Sequence, residues 1–274
     1  MRDFSVRFSQ NSVGVVAGTF ILFLIASTII LPWFFSIDPS AISNNTLTGP
    51  SQQSLLGTDE LGRDVLQSLI YGVRVSLFVG LSAALAASVL GVLIGALAGY
   101  YGGKVDLLLM RFSEVFQVLP TFVLAAVIVA MLGPGLTRVV IVISILAWPQ
   151  VALVIRSEVL RVKNLEFVDA VRCLGYGEFY ILLREVIPNA IRPVLALGTL
   201  IVGQAILLEA ALSFLGLSSP SIISWGRMLN SGQQYLFQAW WISVPAGLAI
   251  FLTVVAFNLL GDAIDATLNP RDAS

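Results

Sequence analysis

The run Ser76-Leu77-Phe78-Val79-Gly80-Leu81-Ser82-Ala83-Ala84-Leu85-Ala86-Ala87-Ser88-Val89-Leu90-Gly91-Val92-Leu93-Ile94-Gly95-Ala96-Leu97-Ala98-Gly99-Tyr100-Tyr101 holds 26 residues without a charged side chain. A helix needs roughly 20 apolar residues to cross the hydrocarbon core of a bilayer, so this run is long enough to span one. Its apolar character is continuous. A strand of an outer-membrane barrel would instead alternate apolar-out and polar-in. Five more stretches meet or approach the same length, at about 13–35, 107–133, 137–156, 189–214 and 241–262. The composition agrees: 57% of the 274 residues are hydrophobic and 11% charged, where soluble domains carry ~25% charge. The sequence therefore predicts an all-α integral membrane protein with six transmembrane helices.

Within the quoted run, Gly91, Gly95 and Gly99 recur every fourth residue and share one helix face. Such a face lets another backbone approach closely. Its partner is either a helix of the same chain or a second transmembrane subunit. The first apolar run, Val13 to Phe35, exceeds the 7–15 residues of a signal-peptide core, and no A-x-A site follows it, so it reads as an uncleaved anchor.

Lys and Arg accumulate on cytoplasmic loops. With the N-terminus inside, Arg2, Arg7, Lys104, Arg111, Arg156, Arg161, Lys163, Arg172, Arg184, Arg192 and Arg271 are cytoplasmic, while Arg63, Arg74, Arg138 and Arg227 are external. The ratio of 11 to 4 places both termini and residues 156–188 in the cytoplasm. The net charge of −1 says nothing about partners. Membrane lipid is the expected surround, and no nucleic-acid partner is expected. One cysteine, Cys173, excludes an internal disulfide framework. The absence of histidine removes the commonest metal ligand and proton relay.

Between the fourth and fifth spans lies a charged island, Asn164-Leu165-Glu166-Phe167-Val168-Asp169-Ala170-Val171-Arg172-Cys173-Leu174-Gly175. Asn164 is a candidate N-cap, and Glu166 suits the positive end of a helix. Leu165, Val168, Val171 and Leu174 form an apolar stripe, with Glu166, Asp169, Arg172 and Cys173 off it. Ala170 keeps one face slim, and Gly175 sits where a C′ residue with positive φ is expected. The prediction is a short amphipathic helix, then a second helix from Glu178 to Ile187. The mixed, slightly acidic polar face fits a protein groove better than anionic lipid, which favours basic faces.

Other segments carry further expectations. Lys104, Arg111, Glu114 and Gln117 share a face ahead of Pro120, which favours a kink; this reads as an interfacial helix or a pathway-lining one. Asp59 and Arg63 are spaced to pair, either as a solvated, locally braced turn or as a contact for another protein. Glu209 lies in the outer half of the fifth span, where a carboxylate must face protein, water or a partner. It is a structural acceptor or a polar point on a pathway.

Asp169-Ala170-Val171-x-x-x-Gly175, followed by Ile187-Pro188, resembles the E-A-A-x-x-x-G loop, with its later I-x-L-P, of binding-protein-dependent ABC importer permeases. Asp169 stands for the Glu, Val171 for the second Ala, Ile187 for the Leu, and Glu185 for the Ile. Three further sets of residues resemble the dipeptide/oligopeptide/nickel branch, and within it the second, C-type permease. They are Leu56-Gly57-Thr58-Asp59-Glu60-Leu61-Gly62-Arg63-Asp64-Val65 with Ile70 to Leu77, Ala211 to Leu217 with Ser224 to Leu229, and Asn258 to Asp262 with Asn269-Pro270-Arg271. The similarity covers roughly residues 50–272.

The resemblance implies a type I importer permease core of five helices plus an N-terminal helix. Residues 1–74 would hold the tail, first helix and external loop; residues 75–274 would form the core, with a cytoplasmic coupling loop at 156–188. It implies a homologous permease partner, two cytoplasmic ATPases carrying ATP and Mg, an external solute-binding protein, and a bacterial inner-membrane location. Glu166, Asp169, Ala170, Val171, Arg172 and Gly175 would couple to an ATPase. The solute would be a short peptide, a nickel complex or a related small molecule. The chain lacks a G-x-x-x-x-G-K-[ST] phosphate loop, so the chemistry of ATP would belong to another chain and this one would not be an enzyme. The competing class is a secondary transporter or channel using Glu209.

Overall fold

The computed structural model describes residues 8–34, 41–219 and 221–268, leaving aside the side chains of 31–34. Arg2, Arg7, Pro220 and the motif Asn269-Pro270-Arg271 lie outside the described residues. The elements are α1 (Ser12–Phe34), α2 (Val65–Tyr101), α3 (Gly103–Val118), α4 (Thr121–Leu132), α5 (Leu136–Val162) and α6 (Glu166–Cys173). Next, α7 (Glu178–Ile181) runs through a π-helical turn (Leu182–Val186) into α8 (Ile187–Ala190). Then follow α9 (Arg192–Phe214), α10 (Trp225–Gly232) and α11 (Trp240–Leu268).

Helices α1, α2, α5, α9 and α11 are each long and apolar enough to cross a membrane. The sixth crossing is not the single run expected at 107–133. Helices α3 and α4 meet at a bend of 86°. Leu119, just before Pro120, is extended (φ −93°, ψ 145°), because the proline ring clashes with a helical residue in front of it. Pro120 breaks the span where a kink was expected.

Lipid chains are as apolar as leucine, so helices in a bilayer associate through close packing rather than by expelling water. The glycine face of α2 supplies that packing. A Cβ at Gly91 would lie 2.4 Å from Val151 Cβ, one at Gly95 2.3 Å from the Ala152 carbonyl oxygen, and one at Gly99 2.7 Å from the Arg156 carbonyl oxygen. The seam is thus filled by α5 of the same chain. Nearer the start of α2, helix α9 packs against it, with Gly80 against Ile206. Helix α11 lies on α9, and α1 lies on α11, where Gly14 faces Ala263 and Gly18 faces Leu260.

Residues 41–55 are largely exposed, but the turn at Gly57–Asp59 is buried. Thr58 Oγ1 donates to the Asn45 carbonyl at 2.7 Å, and the Thr58 amide donates to the Thr48 carbonyl at 2.9 Å. Asp59 Oδ1 accepts from the amides of Leu61 and Arg63 at 2.9 and 2.8 Å, and Asp59 Oδ2 pairs with Arg63 Nε at 3.0 Å. The expected pair forms, but across a turn and not along a helix. Gly62 has φ +76°, and a Cβ there would sit 2.1 Å from the Ser43 carbonyl oxygen. Asp64 then caps α2 by accepting from the Gln67 amide at 2.9 Å.

The seam makes a graded prediction. Gly95→Ala should destabilise the protein by about 1–3 kcal/mol, the usual cost of overpacking. Gly198→Ala places its methyl no closer than 3.8 Å to any neighbour, at Ser88 Oγ, and should be neutral. Thermal unfolding in detergent compares the two; equal melting temperatures would remove the seam from the energetics.

Candidate functional site

Residues 162–190 stand at one end of the bundle, where α2 and α5 end and α3 begins. Lys163 Nζ donates to the carbonyls of Gly99 at 2.7 Å and Tyr100 at 3.1 Å, satisfying groups that the end of α2 leaves without helical partners. Arg156 grips Asp106 with two bonds of 2.5 Å and ties α3 to α5. The Tyr100 hydroxyl donates to Glu178 Oε2. Arg172 bridges Asp169 at 2.8 Å and Glu178 at 3.4 Å. Tyr100 and Glu178 therefore connect the rigid end of α2 to α6.

Helix α6 spans Glu166–Cys173, and Leu165 occupies the N-cap without a side-chain bond. The cap expected at Asn164 does not form. The Asn164 Nδ2 donates back to the Leu160 carbonyl at 2.9 Å, in the last turn of α5. Gly175 has the expected positive φ, +85°. Of the apolar stripe, Val168 is fully buried and Val171 half-buried, but Leu165 and Leu174 are exposed. A second helix starts at Glu178 as expected, although its middle turn is π-helical and it continues to Ala190.

The outward surface of this end combines Glu166, Asp169, Ala170, Arg172 and Cys173 with an apolar set of which sequence reasoning named only Leu174, as part of the stripe. Phe167, Leu174, Tyr176, Phe179 and Tyr180 are all exposed, Leu174 to 75% and Phe179 to 64%. The rings of Tyr176 and Tyr180 stack at 4.7 Å. Their signal in the sequence was the density of aromatic residues just after Gly175. A hydrogen bond from Tyr100 and then the Arg172 guanidinium hold the Glu178 carboxyl below the usual glutamate range.

Glu209 is fully buried near the opposite end of α9. Its Oε1 accepts from Ser213 Oγ at 2.6 Å, while Oε2 has no hydrogen-bond partner. Ser224 Oγ reaches Ser213 Oγ at 3.5 Å and also accepts from the Arg227 amide at 3.3 Å, capping α10. Gly226 lies so close to α9 that a Cβ would sit 2.5 Å from Ala210 Cα. Glu209 thus anchors α10 through two serines. A cavity of about 530 Å³ opens between α4, α5 and α9, and its lining includes Leu208 and Ala211 but not Glu209. Among the described residues, no group of three His, Cys, Asp or Glu side chains comes together as a metal ion would require.

Two outcomes follow from these contacts. Tyr100→Phe should raise amide exchange across residues 164–180 about threefold, the scale of one solvent-screened hydrogen bond. Because the Glu178 carboxyl is depressed, the anchor should hold at and above the ordinary glutamate pKa and weaken as pH falls through the lowered value. Unchanged exchange at neutral pH would show that Tyr100 anchors nothing. Glu209→Gln should keep the melting temperature close to the parent. Glu209→Ala, which strands Ser213 and Ser224, should cost about 1–3 kcal/mol. Equal stability of the two variants would dissolve the serine relay.

Residues 91–272 match the family described as the binding-protein-dependent transport system inner membrane component, and residues 1–53 match the N-terminal TM domain of oligopeptide transport permease C. The chain is 38% identical to the di/tripeptide transport system permease protein DppC of Pseudomonas aeruginosa, over 99% of this chain and 92% of that one. It is 35% identical to the glutathione transport system permease protein GsiD of Pectobacterium atrosepticum, over 98% and 91%. It is 34% identical to the oligopeptide transport system permease protein OppC of Bacillus subtilis, over 98% and 89%. Its fold matches an inward-facing form of the MetNI methionine ABC transporter with a TM-score of 0.60 at 17% identity, covering 74% of this chain and 97% of that one. With the type I importer fold and these relatives together, the chain belongs to the binding-protein-dependent inner membrane components and is a C-type permease subunit of their dipeptide/oligopeptide branch.

Proposed function

We propose that this chain forms half of the translocation path of an ATP-driven importer of short peptides. It pairs with a homologous permease, receives solute from an external binding protein, and is driven by two cytoplasmic ATPases that hold ATP and Mg. The observation that carries the reading is the surface at 164–180. An acidic and aromatic patch stands beyond the helix ends, held to α2 by Tyr100 and Glu178, and none of the described residues covers it. Such a patch fits a protein groove. Glu166, Asp169, Ala170, Val171, Arg172 and Gly175 are its coupling residues. Relatives named for di/tripeptide, glutathione and oligopeptide transport support the solute class.

The Lys and Arg bias supports a cytoplasmic position for this patch and for both termini in the bacterial inner membrane. The separate match of residues 1–53 supports treating 1–74 as an addition to a core at 75–274.

Cys173 supplies the test, since it is the single thiol and is exposed. A membrane-impermeant maleimide should leave it unlabelled in intact spheroplasts and label it in inverted vesicles stripped of ATPase. Adding ATPase should slow that labelling several-fold, and Asp169→Arg should abolish the protection. Labelling from outside would overturn the orientation. Labelling that ATPase does not slow would remove the coupling role.

A further inference from the structure

Gln150 and Gln204 are the two amide side chains that line one cavity of the bundle. Gln150 lies 14 residues after the start of α5 and 12 before its end; Gln204 lies 12 after the start of α9 and 10 before its end. Both are therefore near mid-membrane. Both are exposed and make no hydrogen bond to the described residues. Both line the cavity of about 530 Å³ between α4, α5 and α9.

A primary amide facing hydrocarbon without a partner costs roughly 2–7 kcal/mol. Two of them on one face mark that face as wet or protein-covered. The contrast with the far side of the bundle is sharp. A groove of about 500 Å³ between α2, α9 and α11 is lined by side chains such as Leu81, Leu85, Val89, Leu93 and Leu195, with no amide and no charge. Its Thr199 hydroxyl is satisfied by the Ala196 carbonyl at 2.7 Å. Besides Thr199 that groove has one further hydroxyl, Ser88, and no amide; the cavity between α4, α5 and α9 has two amides.

The glutamine cavity carries no charged residue. It offers nothing to select a solute by its termini or by an ionised side chain. A glutamine amide presents N–H donors and a carbonyl acceptor, so it can answer both the carbonyl and the N–H of a peptide unit. Thr121 adds a hydroxyl at the start of α4, and Phe122, Leu146 and Leu208 supply apolar wall. Pro149, beside Gln150, has no N–H to give the Ile145 carbonyl.

Building on the peptide-import reading above, we propose that Gln150 and Gln204 are a neutral amide pair that holds the backbone of a short peptide halfway along the path. The pair binds the peptide unit, which every peptide shares, and ignores what distinguishes one peptide from another. The homologous permease closes the opposite wall.

The test uses the complete transporter in proteoliposomes with ATP and dialanine as the solute. Gln150→Leu with Gln204→Leu should lower ATP-dependent uptake at least tenfold and leave binding-protein-stimulated hydrolysis within twofold. Gln150→Asn with Gln204→Asn, which keeps both amides, should recover at least half of parental uptake. Parental uptake by the leucine pair would overturn the proposal, as would an asparagine pair that fails equally. Absence of uptake by the unaltered transporter would instead overturn the importer reading on which the pair rests. Assembly is checked independently of uptake. With Cys173→Ser as background, Gln204→Cys should react with a water-soluble methanethiosulfonate in the assembled complex, and Leu195→Cys should not. Equal silence at both positions would show that the glutamine face is dry and end the proposal.

Discussion

The close approach of α2 to α5 is the constraint on which the rest of the bundle depends. Three glycines bring the two backbones together, so that missing methyls at Gly91, Gly95 and Gly99 are replaced by Val151, Ala152 and Arg156. In lipid this contact has no hydrophobic substitute. It also fixes where the polar end begins. Where the seam stops, Lys163 bonds the last carbonyls of α2, and Tyr100 points its hydroxyl at Glu178. A displacement of α5 along α2 would carry α6 with it. The seam and the exposed patch are thus mechanically one piece.

At the opposite end two tryptophans join distant segments, beside the local Asp59–Arg63 pair. Trp225 Nε1 donates to the Leu69 carbonyl at 3.0 Å, and Gly72 makes room for its ring. Trp241 Nε1 donates to the Thr58 carbonyl at 3.3 Å, and Gly57 makes room for that one. Each indole joins segments more than 150 residues apart in the chain, at 156 and 183. The packed turn at 56–64 and α10 are therefore fitted against the helix ends, and Glu209 holds α10 from beneath. The Glu209 carboxylate reaches Ser213 and, through it, Ser224, and does not line the cavity between α4, α5 and α9; that geometry favours an anchor over a polar point on the path.

Much of this was legible in the sequence, because hydrocarbon enforces simple rules. Long apolar runs had to be helices. Gly175 had to end one helix, and Asp59 had to meet Arg63. What was not legible depended on tertiary competition. Asn164 had a better acceptor behind it, at Leu160, than an amide ahead of it. Leu165 and Leu174 follow the period of a buried stripe, but α6 is too short and too far out for its ends to reach the bundle. Pro120 signalled a kink, yet the size of the bend depended on Leu119 becoming extended.

Packing and passage leave different marks in such a chain. A packing contact needs several neighbours of fixed size, so it is written as a contiguous motif: the three glycines, the turn at 56–64, the segment around Ser213 and Trp225. A solute path must contact many different molecules and release each one. It needs few polar groups, separated in sequence and brought to one depth by the fold. Gln150 and Gln204 are 54 residues apart, each alone within an apolar run. Neither forms a motif, and only the antiparallel course of α5 and α9 sets them at the same level. The residues easiest to recognise here are the ones that hold the structure still. Those with most to do with passage emerge only when each unsatisfied polar group is asked what it faces.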